Sequence, residues 1–227
     1  MSVREQARAS AAPAPLSGTR RAPRLRALTG GGTTGNELLT AATGAVLLVG
    51  LAVIGVTILR VRQLLSIHLF VGMLLIGPVA LKLASTGYRF VGYYTANPRY
   101  RLKGPPLAPL RMIAPIVVIS TLVVFASGVA LLFAGPSSRQ TLLPIHKDSF
   151  FVWVAFMALH VLGHLADLPR ALRADYSRTR QLSGDVTGRA GRMLALAGAL
   201  VAGAVLAVLV IPEFGPWLHS SGLLHHH

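Results

Sequence analysis

The sequence predicts an all-α integral membrane protein with five transmembrane helices, and three observations lead to this fold class. Hydrophobic residues make up 53% of the 227 residues, with a mean hydropathy of +0.60, whereas soluble domains contain roughly 45–50% apolar residues. These residues are gathered into five runs, each near the roughly 20 residues that a helix needs to cross a hydrocarbon core. The basic residues lie mostly between the runs. Together these features predict one helical bundle embedded in a lipid bilayer.

The five runs divide the chain into a bundle with two tails. The predicted spans cover residues 37–59, 64–86, 112–134, 145–168 and 190–211. Residues 1–36 are rich in Ala, Arg, Pro and Gly, which predicts a disordered cytoplasmic tail. Residues 37–211 then form the transmembrane bundle, and residues 212–227 form a short external tail.

Individual spans carry further local signals. The turn at Arg60 is so short that the first two spans are predicted to pair as an antiparallel hairpin. Gly77-Pro78 lies in the middle of the second span and is predicted to kink it. The Gly- and Ala-rich fifth span is predicted to be a peripheral or dimer-forming helix.

The net charge of +15 is predicted to reflect membrane topology rather than nucleic-acid binding, because the basic residues alternate in number from loop to loop. One side is predicted to carry 17 of them: Arg4, Arg8, Arg20, Arg21, Arg24, Arg26, Arg89, Arg99, Arg101, Lys103, Arg111, Arg170, Arg173, Arg178, Arg180, Arg189 and Arg192. The other side carries four: Arg60, Arg62, Arg139 and Lys147. The positive-inside rule therefore predicts a cytoplasmic N-terminus and an external C-terminus. An excess of Arg over Lys, 19 to 3, favours a bacterial source and hence the plasma membrane.

The sequence lacks the residues that several classes of chemistry require. The chain has no cysteine, which excludes disulfides, thiolate metal sites and iron–sulfur clusters. It also has no Gly-rich phosphate loop, no nucleophile-elbow motif and no paired carboxylates. Candidate functional residues are therefore the few ionisable side chains inside the spans, where an ionisable group is energetically costly.

Histidines in the second and fourth spans predict a haem site. His146 and His160 lie fourteen residues apart, which is about 21 Å and almost four whole turns, so they share one stripe of a helix. His68 begins the second span and is predicted to lie level with His146 near the outer face. The pair has the geometry of two axial haem ligands, and Gly72 leaves room for the porphyrin face. The alternative is a haem-free structural or assembly membrane protein with interfacial histidines.

A second position is predicted deeper in the bundle. Lys82 follows His68 by fourteen residues and should lie level with His160, a candidate ligand of a second haem iron. His164 shares the stripe of His160, and this i, i+4 pair also suits a metal ion. Three roles stay open for Lys82: an amine ligand, a snorkelling side chain, or a partner of a haem propionate. A further alternative is a small proton-coupled transporter that uses Lys82 and His160.

Two stretches, together about 45 residues, carry a resemblance to a known family. Ile145-His146-Lys147, through Ala158-Leu159-His160 to His164, looks like the last core helix of the bacterial cytochrome b561 family. His68, with Gly72 and Lys82-Leu83 after it, looks like the second helix of that family. The members of that family are four-helix, di-haem b-type membrane cytochromes, and they are related to the cytochrome b subunits of formate dehydrogenase and hydrogenase.

The chain departs from that family in two places. The first span has no histidine, although in the family a first-helix histidine completes the inner haem site, and the fifth span is an addition to the four-helix core. The resemblance implies a cytochrome with haem b that relays electrons to or from a quinone pool or a redox partner protein or subunit. We expect one haem at His68 and His146 and consider a second at His160. An electron-transfer subunit is expected rather than a stand-alone enzyme, because bis-histidine iron has no open coordination position.

Overall fold

The computed structural model describes residues 32–95, 108–165 and 188–222, together with Pro169 and Arg173. Five long helices dominate: α1 (Gly32–Leu59), α2 (Val61–Tyr94), α3 (Ala108–Phe133), α4 (Pro136–His164) and α5 (Arg189–Leu209). A 3-10 helix (Ile211–Phe214) and the short helix α6 (Gly215–Gly222) follow. All five long helices contain a stretch long and apolar enough to span a membrane, and the described residues include no strand. The predicted all-α, five-span membrane bundle is confirmed.

The helices extend beyond the hydrophobic runs that predicted them. α1 begins at Gly32, inside the segment expected to be a tail, whereas residues 1–31 lie outside the described residues. α4 begins at Pro136, nine residues before the predicted span, since Gly135 precedes it in an extended conformation and proline suits a first helical turn. The predicted external tail contains the 3-10 helix and α6. The end of the bundle at Arg60 is called the outer end below, and the end at Gly32 the inner end.

The inner end of α2 extends well past the apolar part of the helix. Its 34 residues correspond to about 51 Å, longer than a hydrocarbon core of roughly 30 Å. Its last turns carry a cluster of aromatic rings that includes Phe90 and Tyr94, with 4.5 Å between the two ring centroids. The guanidinium of Arg111 donates a hydrogen bond of 2.6 Å to the Tyr94 hydroxyl. This bond links the end of α2 to the first turn of α3, as expected for an aromatic and basic belt at a membrane interface.

The helices form two packed groups. α2 packs against both α1 and α5, and α3 packs against α4, whereas few backbone contacts join the two groups. Within the second group, Trp153 of α4 donates its indole N–H to the Thr121 hydroxyl of α3 at 2.9 Å. The bundle is therefore built from a three-helix unit and a two-helix hairpin.

Glycines determine the contact between α2 and α5. A Cβ atom at Gly77 would clash with the carbonyl oxygen of Ala199, and a Cβ atom at Gly203 would clash with that of Leu74. The backbones of the two helices therefore touch directly, so α5 packs tightly against α2, its main neighbour among the described helices. α2 keeps helical dihedral angles at Gly77 and Pro78, and the non-helical residue inside it is Leu64. The structure thus shows a break in helical geometry near the outer end of α2, and helical dihedral angles continue through Gly77-Pro78.

An apolar cluster closes the outer end of the bundle. Its buried members come from α2, α3, α5 and the C-terminal segment: Met73, Leu132, Ala207, Val210 and Phe214. α6 adds Trp217, whose ring lies 4.0 Å from the guanidinium carbon of Arg139 near the start of α4. The C-terminal segment therefore covers apolar side chains at the outer end, next to the turn of α2 that carries His68.

Candidate functional site

α2 and α4 belong to different packed groups of the bundle. Their Cα atoms almost nowhere approach within 8 Å of each other in the described helices. His68 and His146 are near enough for their charges to interact, and so are Lys82 and His160. The structure therefore brings these side chains together in the two pairs that the fourteen-residue spacings predict, one towards each end of the bundle.

His68 is oriented by the neighbouring helix of its own hairpin. Nδ1 of His68 lies 2.9 Å from the hydroxyl of Thr57 on α1. When that hydroxyl donates to the Ile54 carbonyl, 2.7 Å away, its oxygen accepts from Nδ1–H of His68. Thr57 is only 1% exposed, and water therefore has little access to this bond. Nε2 of His68 consequently carries the free lone pair.

His146 is oriented in the same way by α3. Its Nδ1 lies 3.1 Å from the carbonyl oxygen of Val124, and because a carbonyl only accepts, Nδ1 carries the proton. The Ser127 hydroxyl lies 3.0 Å from the same nitrogen and donates to the same carbonyl. The imidazole lies against Gly128, where a Cβ atom would come within 3.1 Å of Cε1. Nε2 of His146 is again left with the free lone pair.

The outer pair therefore meets the chemical requirements of a metal ligand. Imidazoles that bind metals through Nε2 almost always donate their other N–H to a fixed acceptor, which sets the tautomer and the ring orientation. His68 and His146 both have that arrangement, supplied by two different hairpins. At Gly72, one turn after His68, a Cβ atom would meet nothing within 4 Å. This open space lies where the sequence predicted room for a porphyrin face.

The inner pair is arranged differently. Nζ of Lys82 donates to the main-chain carbonyl of Thr40 at 2.7 Å and lies beside Gly44, where a Cβ atom would be 3.1 Å away. Nδ1 of His160 is buried and has no hydrogen-bond partner among the described residues. The ring of His164 meets that of His160 edge to face, with 4.8 Å between centroids. The inner pair thus combines a fixed amine with an imidazole whose Nδ1 the surrounding helices leave open.

Three residues that orient the histidines were not predicted from the sequence: Thr57, Ser127 and Gly128. The signal available was the presence of small or hydroxylated residues within otherwise apolar spans. That signal is weak, because a hydroxyl inside a helix commonly bonds to its own backbone. Thr43 does this with the Leu39 carbonyl and has no histidine partner. Only the contact across each hairpin distinguishes Thr57 and Ser127 from such residues.

The number of candidate ligands at the outer pair is two. In the described part of the chain, no three His, Cys, Asp or Glu side chains cluster as the ligands of a single ion. Haem iron needs only two protein ligands, because the porphyrin supplies four nitrogens. Two opposed imidazoles satisfy that requirement.

Comparisons of the chain with family models, with curated proteins and with solved structures found no match. The function is therefore inferred from the geometry of these side chains.

Proposed function

We propose that this multi-pass membrane protein is a b-type cytochrome that holds haem b between α2 and α4, with Nε2 of His68 and Nε2 of His146 as the axial ligands. One observation carries the proposal: the two imidazoles lie near enough for their charges to interact, and Nδ1 of each is held by a neighbouring helix of its own hairpin. The resemblance of the same residues to membrane cytochromes agrees with it.

The residues of the chain have three tasks at this site. Thr57, and Val124 together with Ser127, fix the two rings and set which nitrogen is available. The surrounding apolar side chains exclude water, including the cluster closed by Phe214. Bound haem would supply a one-electron carrier, and two histidine ligands leave no position for a substrate. The protein is therefore an electron-transfer subunit in this proposal, not a stand-alone enzyme.

The proposed setting is the plasma membrane of a bacterium, with the N-terminus in the cytoplasm and the C-terminus outside. The 17-to-4 distribution of basic residues supports this orientation, and five spans require the two termini to lie on opposite sides. The site at His68 and His146 then lies near the external face. A redox partner protein or subunit is proposed to exchange electrons there, with a quinone pool as a further partner by resemblance to the cytochrome family.

Purification from cells supplied with a haem precursor tests the proposal. We expect a red protein whose reduced-minus-oxidised absorption spectrum shows the sharp bands of low-spin, six-coordinate haem b. Mass spectrometry of the extracted pigment identifies the haem type. A colourless preparation of folded protein from such cells would overturn the proposed function.

A second experiment tests the orienting role of Thr57. In Thr57→Val, Nδ1–H of His68 loses its acceptor while the shape of the side chain is kept. Loss of such a partner typically weakens metal binding about 10- to 100-fold, so we expect faster haem release and a changed midpoint potential. Thr43→Val is the matched control, because Thr43 is also buried on α1 but bonds only to its own helix. Equal haem release rates in the two variants would contradict an orienting role.

A further inference from the structure

The pair of residues at the inner level of α2 and α4 repeats the outer pair, with a lysine in place of one histidine. Lys82 follows His68 by fourteen residues, and His160 follows His146 by the same interval. Each inner residue therefore lies on the same stripe as its outer counterpart, about 21 Å farther along the helix. Lys82 and His160 are close enough for their charges to interact. Two nitrogen-bearing side chains from different packed groups thus lie near each other at the inner level as well.

The amine of Lys82 is held inside the bundle rather than extended to the membrane surface. Its hydrogen bond of 2.7 Å to the Thr40 carbonyl fixes it against α1, and Gly44 leaves the space that it fills. That bond uses an N–H group, so a neutral amine there keeps its lone pair. An ammonium ion within an apolar span is costly, whereas coordination of a metal by the neutral amine avoids that cost. Lys82 thereby brings a nitrogen ligand to α1, the helix that has no histidine.

His160 has the complementary property of an open nitrogen. The Nδ1 atoms of His68 and His146 are both satisfied by protein acceptors, whereas Nδ1 of His160 is buried without a partner among the described residues. Leaving a buried polar atom unsatisfied costs about 1–3 kcal/mol, and such an atom in a native protein calls for an explanation such as an ion or ligand. His164, which packs on the ring of His160, is itself exposed.

We infer that the inner half of the bundle is a second haem-iron site whose axial ligands are Nζ of Lys82 and an imidazole nitrogen of His160. This inference rests on the proposed function, because it requires that the protein bind haem. The two sites then differ in kind: the outer iron has two imidazole ligands, and the inner iron has one imidazole and one amine. His164 supports the ring of His160 and is not a ligand.

The unmodified protein provides a direct test. We expect two haems per chain by quantitative pigment and protein analysis. Lysine labelled with ¹⁵N at the side-chain amine should give, in pulsed electron paramagnetic resonance, the hyperfine coupling of a nitrogen bound directly to low-spin iron. The chain has only three lysines, and the signal must persist in Lys147→Arg, which removes the lysine beside His146. One haem per chain, or no such coupling, would overturn this inference and leave the proposed function intact, whereas no haem would overturn both.

Substitutions provide an independent test. Lys82→Leu should lose one of the two haems and keep the bis-histidine spectrum of the outer site, which also reports that the chain has folded. Lys82→His should restore two haems, now both with bis-histidine spectra. The matched control His164→Ala should keep two haems and the amine signature. Two results would refute Lys82 as the ligand. One is a second haem that persists unchanged in Lys82→Leu. The other is loss of the second haem in His164→Ala together with no amine coupling in the unmodified protein. If Lys82→Leu binds no haem at all, the isotope experiment decides.

Discussion

We expect that replacing His146 by alanine abolishes haem binding at the proposed outer site, and that replacing His68 by alanine does the same. Each substitution removes one of two imidazoles that lie near enough for their charges to interact, and bis-histidine iron depends on both. We expect each single variant to lose one haem equivalent per chain. The double variant should lose no more than either single variant, since residues that act as a unit are strongly non-additive. Haem-to-protein ratios and reduced-minus-oxidised spectra measure the effect.

Two further observations separate loss of the ligand from loss of the fold. Lys147→Gln changes the exposed neighbour of His146 and should leave the haem content unchanged. Added imidazole should enter the space left in His146→Ala and restore part of the low-spin spectrum. Full haem content in either alanine variant would show that the pairing of His68 with His146 is wrong.

The second large effect is expected from Gly203→Ala at the contact between α2 and α5. The added Cβ atom meets the carbonyl oxygen of Leu74, which is backbone and moves only with the helix. Overpacking of this kind destabilises a protein by roughly 1–3 kcal/mol and sometimes more. We therefore expect a lower melting temperature, followed by intrinsic fluorescence in detergent, and a reduced yield of folded protein.

Gly198→Ala is the matched control for this substitution. Gly198 also lies on α5 but is exposed, and a Cβ atom there would meet nothing within 4 Å. Because alanine is the better helix former by about 1 kcal/mol, this variant should be as stable as the parent or slightly more stable. The two alanine variants thus have opposite expected signs. Equal melting temperatures for both would contradict the direct backbone contact between α2 and α5.

Hydropathy predicted the fold class and the number of spans but not the helix boundaries or partners. Apolar runs report the residues in hydrocarbon, whereas helices continue into the interface, as the Tyr94 end of α2 and the Pro136 start of α4 do. Gly77 was interpreted with its neighbour Pro78 as a kink, because sequence alone does not show which helix approaches a glycine. Sequence alone likewise did not show that α2 is the helix against which α5 packs.

The candidate site was predictable in depth but not in orientation. The fourteen-residue spacings depend only on the helical repeat, and they predicted which side chains share a level. The protonated nitrogen of His68 depends instead on Thr57, and that of His146 on Val124 and Ser127, residues that lie across a hairpin. Such contacts depend on the rotation of each helix about its own axis, and the sequence pattern does not specify it. The open nitrogen of His160 likewise becomes apparent only once its neighbours are placed.

The division of the bundle into two packed groups has a consequence for biogenesis. α5 is synthesised last but packs against α2, so the three-helix unit is completed only after the α3–α4 hairpin has already entered the bilayer. Few direct contacts then join the two units. A cofactor bound by His68 from one unit and His146 from the other would hold the two units together. A ligand that binds only the assembled state stabilises that state, and tighter binding stabilises it more. Cofactor supply would thus govern the lifetime of the assembled protein in the membrane as well as its activity.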